Sequence, residues 1–175
     1  MAMRARLIFS SVLAVLFAVA GGVHAQDWKR QTYATDGFEV EFSGPIDVHP
    51  QELDATTKSR LVRSTTYVQD GGNDYAYLVI AMLGKGEINF EGGVQAVRDS
   101  CKKITSDTAL DVPNGRGREL HGTNCGDGGA WRLEGRYYNT GHWFYQAFTF
   151  VKMDGDDADN EAAHHFVRSF RLIGN

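Results

Sequence analysis

Residues 130–153 read Ala-Trp-Arg-Leu-Glu-Gly-Arg-Tyr-Tyr-Asn-Thr-Gly-His-Trp-Phe-Tyr-Gln-Ala-Phe-Thr-Phe-Val-Lys-Met. Up to Tyr138 the stretch alternates strictly: Trp131, Leu133, Gly135 and Tyr137 oppose Arg132, Glu134, Arg136 and Tyr138. A period of two is the mark of a strand. Asn139-Thr140-Gly141 then supplies a hairpin turn. From His142 to Met153 both faces are largely apolar, with Phe144, Phe148 and Phe150 on one and Trp143, Tyr145 and Val151 on the other. A strand that is apolar on both sides needs cover on both sides, so it belongs at the centre of a sheet.

The same reasoning extends outward. Tyr75 to Leu83 is a second run with two apolar faces, and Asp70-Gly71-Gly72-Asn73 joins it by a hairpin to a β-branched and aromatic strand over Arg60 to Gln69. Trp28 to Thr35 reads as an opening strand, and Asp36-Gly37 as a turn. In Phe38-Glu39-Val40-Glu41-Phe42 the apolar residues face one way and the acids the other. Residues 46–58 read as a surface loop, and Glu119 to Cys125 as a further strand. Two segments change period. Phe90, Val94, Val97, Cys101 and Ile104 make one helical stripe over 90–104, with Asn89 as N-cap. Ala163, Phe166, Val167 and Phe170 stripe a last helix capped by Asp159. Hairpins dominate and no βαβ series is present, so the expected class is α+β: about six to seven antiparallel strands with two amphipathic helices packed against them.

The first 25 residues differ from the rest. Arg4 and Arg6 precede a nearly unbroken apolar run from Leu7 to Ala20, and Val23-x-Ala25 fits a signal-peptidase site. The expectation is a cleaved signal peptide over 1–25 and one α+β domain over 26–175. That mature chain carries 16 Lys and Arg against 22 Asp and Glu, a net charge of −6. Such an acidic balance disfavours nucleic acid and anionic lipid as bulk-charge partners. The expected location is therefore the periplasm or the exterior, without stable membrane insertion. Two cysteines, Cys101 and Cys125, read in an exported chain as one disulfide. With Cys101 on the helical stripe, its partner is expected on a strand beneath the helix.

The stretch Asp36-Gly37-Phe38-Glu39-Val40-Glu41-Phe42-Ser43-Gly44-Pro45, the middle helix, the late aromatic hairpin and the closing Phe166-Val167-Arg168-Ser169-Phe170-Arg171-Leu172 together resemble the Mog1/PsbP-like α/β fold, shared by many small exported bacterial proteins. The resemblance spans most of residues 28–173. It implies that the first motif opens the sheet and the last closes it. It also implies a binding or assembly-accessory role, and it brings no catalytic residues with it.

The chemistry-bearing motifs are sparse. No G-x-S-x-G nucleophile turn occurs. His164 and His165 are adjacent, about 100° apart on a helix, and no H-x-x-x-H spacing exists; they read as a polar flank, and His49 and His121 as isolated and exposed. The acidic run 154–161 offers hard oxygen ligands for calcium, but has Ala158 and Asp159 where an EF-hand needs a ligand and a glycine. Gly84-Lys85-Gly86 precedes a helix yet lacks the phosphate-binding motifs. Arg132 and Arg136 share a strand face with Glu134 between them, a charge ladder or a small anion patch. With Trp131, Tyr138 and Trp143 they form the candidate binding set. The expected function is a secreted or periplasmic, non-enzymatic binding or accessory module, with no cofactor and with an envelope protein or a small ligand as partner. The alternatives are a small periplasmic hydrolase or lyase with dispersed residues, and an envelope assembly or stress-associated interaction protein.

Overall fold

The computed structural model describes residues 26–174; the expected signal peptide lies outside them. In chain order the elements are β1 (Lys29–Tyr33), β2 (Phe38–Phe42), β3 (Asp47–Pro50), the one-turn α1 (Ala55–Lys58), β4 (Leu61–Asp70), β5 (Tyr75–Gly84), α2 (Phe90–Asp99), β6 (Cys101–Leu110), β7 (Arg116–Cys125), β8 (Trp131–Thr140), β9 (Trp143–Lys152), α3 (Asp157–Ser169) and β10 (Arg171–Leu172). Seven strands form one sheet in the order β3-β4-β5-β9-β8-β7-β6, and every pairing in it is antiparallel. The two strands with two apolar faces, β5 and β9, pair with each other at its centre, from Tyr75↔Val151 to Leu83↔Trp143.

β1, β2 and β10 make a separate three-stranded sheet. The early and late phenylalanine motifs meet there, with Arg171 opposite Glu39 and Leu172 opposite Phe38. This small sheet and α3 cover one face of the large sheet. Phe38, Val40, Phe42, Phe166 and Phe170 are buried against Tyr77, Val79, Tyr145 and Ala147. A polar node pins the β1–β2 turn to the large sheet. Asp36, only 5% exposed, accepts the Tyr67 hydroxyl at 2.5 Å and pairs with Arg63 at 2.5 Å, while Tyr145 donates to its backbone carbonyl at 2.9 Å. On the opposite face α2 buries Phe90 and Val94 against Leu120, Leu133, Tyr137 and Phe144.

Four expectations need correction. The helix expected over 90–104 stops at Asp99, where Ser100 turns back on Val97 O through both its amide (3.1 Å) and its hydroxyl (2.7 Å). Cys101 and Ile104 therefore belong to the edge strand β6, which is exposed along most of its length and bulges between Ile104 and Ser106. The disulfide does form, but across neighbouring strands, with Cys101 directly opposite Cys125. Residues 46–58 contain the short edge strand β3 and α1. The cap of α3 is Asp156, with Asp159 as its reciprocal partner three residues on.

Candidate functional site

The two faces of the large sheet are not equally covered. On the α2 side the inward residues of β5 are Leu78, Ile80 and Met82, and those of β9 end at Phe150; all four stay half-buried. The reason is the size and seat of α2. It has ten residues, and it rests on β9 through Gly93, where an added Cβ would stand 2.6 Å from Phe144 Cε1. The helix is held close at Phe144 and does not reach across β5. Between helix and sheet lies a groove of about 370 Å³ lined by Met82, Ile88, Val97, Phe144, Phe148 and Phe150. At Met82 and Ile88 it meets a wider depression of about 720 Å³ beside α1 and the β5–α2 loop, where Leu61, Arg60 and Lys85 join the lining. The Lys85 amide donates to Arg60 O at 2.8 Å, which makes the two residues backbone neighbours at the groove's mouth.

The other face holds a smaller, polar cleft of about 170 Å³ between α3 and β6–β8, lined by Thr105, His121, Arg132, Glu134, Thr149 and Asn160. His164 Nδ1 lies 2.6 Å from Glu134 Oε1. Next to it Arg136 donates to Glu119 at 2.6 Å, and His121 lies 3.2 Å from the other Glu119 oxygen. Burial alone would raise the Glu119 carboxyl; the hydrogen bonds from Arg136 and His121 outweigh it and hold the group below its ordinary range. Arg132 donates to the carbonyls of Lys152 (3.1 Å) and Gly155 (3.3 Å), and its buried Nε has no partner. The threonine hydroxyls turn to backbone carbonyls: Thr105 to His121 O at 3.2 Å, and Thr149 to Glu134 O at 3.4 Å. No serine or cysteine lines this cleft. Among the described residues no group of three or more His, Cys, Asp or Glu is placed to hold a metal ion. In the acidic run, Asp156 and Asp159 cap α3.

The five candidate binding residues do not come together. Trp131 is on the α2 side, whereas Arg132, Arg136, Tyr138 and Trp143 are on the α3 side. Along the hairpin Trp131 pairs with Lys152 and Trp143 with Thr140, so the two tryptophans sit at opposite ends. Tyr138 stacks on Phe170 at 5.1 Å, and Trp143 on Tyr145 at 5.4 Å beneath Arg63. These rings belong to the packing between elements. The arginine–glutamate ladder takes the cross-strand form Arg136–Glu119. His121 is half-buried and partnered, which corrects its reading as isolated; His164 and His165 meet Glu134 and Glu41 in turn. The residues that line the groove were not singled out from the sequence. Their signal was present in the doubly apolar run 75–83, which demands more cover than a ten-residue helix provides.

The chain matches no protein-family model and no curated protein. Among the described residues no helix is long and apolar enough to cross a membrane.

Proposed function

We propose that this protein is an exported, non-enzymatic binding module that takes up an apolar or amphiphilic group in the groove between α2 and the face of β5 and β9. The observation that carries this reading is the incomplete cover of a sheet face that is apolar by sequence: Leu78, Ile80, Met82 and Phe150 stay half-exposed beside a groove of about 370 Å³. An open apolar trough bounded by a few polar groups is the usual form of a small-ligand site. The disulfide supports an oxidising compartment, and with the leader-like residues 1–25 it supports export. The meeting of the two phenylalanine motifs at β2 and β10, together with helices on both faces of an antiparallel sheet, supports the Mog1/PsbP-like assignment.

The test is the emission of Nile red, a neutral apolar dye, titrated against the oxidised protein. Uptake in the groove gives a saturable, blue-shifted emission that Met82→Gln and Val97→Gln each weaken while circular dichroism stays unchanged. A folded wild-type protein that leaves the dye dark overturns the reading.

A further inference from the structure

The groove has a direction. Under α2 it is walled by Phe144, Phe148 and Phe150, which span about 20 Å of β9 at the usual strand rise. Its other end carries Arg60 and Lys85. Among the described residues neither of these cations pairs with a carboxylate. The one acid that lines the mouth, Glu87, is paired with Arg116 at 2.5 Å. The hydroxyl-bearing residues Thr56, Thr57 and Ser59 complete the rim. Arg60 and Lys85 are the two cations in the lining of this depression. An apolar trough that ends in two cations and a hydroxyl rim is complementary to a molecule that is apolar along its length and anionic at one end.

Resting on the binding reading above, we propose that the occupant is a single-chain fatty acid, with its carboxylate at Arg60 and Lys85 and its alkyl chain laid past Met82 and along β9 beneath α2. A long Arg or Lys stem lets the charge stay at the water boundary while its methylenes line the entrance.

The experiment titrates octanoate, decanoate and dodecanoate, each below its micelle concentration, and decan-1-ol as the uncharged counterpart, into the oxidised protein by calorimetry. Affinity is expected to rise roughly fourfold per added methylene, the value for burial of a CH₂ group. Decanoate should bind at least tenfold tighter than decan-1-ol at low salt, and the double variant Arg60→Gln/Lys85→Gln should abolish that advantage while it leaves decan-1-ol and Nile red binding unchanged. Equal affinity for acid and alcohol, or an advantage that survives the double variant, overturns the carboxylate assignment and leaves the apolar groove standing. Binding to vesicles of phosphatidylglycerol with none to monomeric decanoate overturns it in favour of a lipid surface. Loss of Nile red binding as well removes the groove itself.

Discussion

Gly93 in α2 and Phe144 in β9 are in backbone-to-ring contact: a Cβ added at residue 93 would stand 2.6 Å from one ring carbon of Phe144 and 2.8 Å from the next. Phe144 is 1% exposed. A glycine normally weakens a helix by about 1 kcal/mol against alanine, so this position trades helix propensity for a close seat. Gly93→Val is expected to lower stability by roughly 1–3 kcal/mol through overpacking, read from urea unfolding. The same variant tilts α2 outward and should alter Nile red emission. A neutral or stabilising effect would mean that α2 does not rest on β9.

The disulfide and Gly122 form a second close unit. Cys101 and Cys125 close a separation of 24 residues, and a Cβ on Gly122 would fall 2.7 Å from Cys101 Sγ. Replacement of both cysteines by serine should cost about 3 kcal/mol. Gly122→Ala should destabilise the oxidised protein, and much less the double-serine variant, since the sulfur it meets is then gone. Equal penalties in both backgrounds would place the strain elsewhere.

Asp36 depends on its partners because it is buried beside aromatic rings. Tyr67→Phe removes a hydrogen bond to a carboxylate and should cost roughly 1.5–3 kcal/mol. Arg63→Met leaves the buried carboxylate without its cation and should cost more, up to about 3–5 kcal/mol. Chemical denaturation of both variants checks the order; Tyr67→Phe as the costlier change would contradict the described node.

Acid should weaken the fold through its paired carboxylates. At Glu119 and at Asp107, burial by itself raises the carboxyl pKa, but the arginines outweigh it: Arg136 with His121 at Glu119, and Arg98 with Arg118 at Asp107. Each folded-state value is thus below the ordinary 4.5 or 3.8. The unfolded chain then binds protons more readily, so this stability is present above pH 4.5 and is lost as pH falls through the folded values. Unfolding free energy measured from pH 6 down to pH 2 should fall, and Glu119→Gln with Asp107→Asn should flatten that fall. An unchanged slope in the double variant would remove these pairs from the pH response.

Much of the sheet was legible from local pattern. A strand that is apolar on both faces has one stable place, and β5 and β9 occupy it. The strand β6 was hidden because it offers little burial: residues 105–109 are all exposed, and the strand is held by its pairing with β7 and by the disulfide. Without an inward apolar row it leaves no period to read, and its Cys101 and Ile104 extend the stripe of the preceding helix. The groove was hidden for a different reason. Periodicity identifies Ile80 and Met82 as apolar, but whether a helix reaches over them depends on where that helix ends and on the seat that Gly93 gives it. The proposed aromatic set failed to converge because alternation along β8 sends Trp131 and Tyr138 to opposite faces.

The most direct test contrasts the two faces of β5, to which the neighbours Val79 and Ile80 point their side chains in opposite directions. Val79 is fully buried under α3 and the small sheet, and Ile80 lies on the α2 face two residues from the groove-lining Met82. In methyl-labelled protein titrated with decanoate, NMR should show saturable shifts at Met82, Ile88 and Val97, which line the groove, with Val40, Val79 and Val167 unmoved. Shifts confined to Val40, Val79 and Val167, or no shift at any of these methyls in the folded protein, would contradict the assignment of the α2 face as the binding surface.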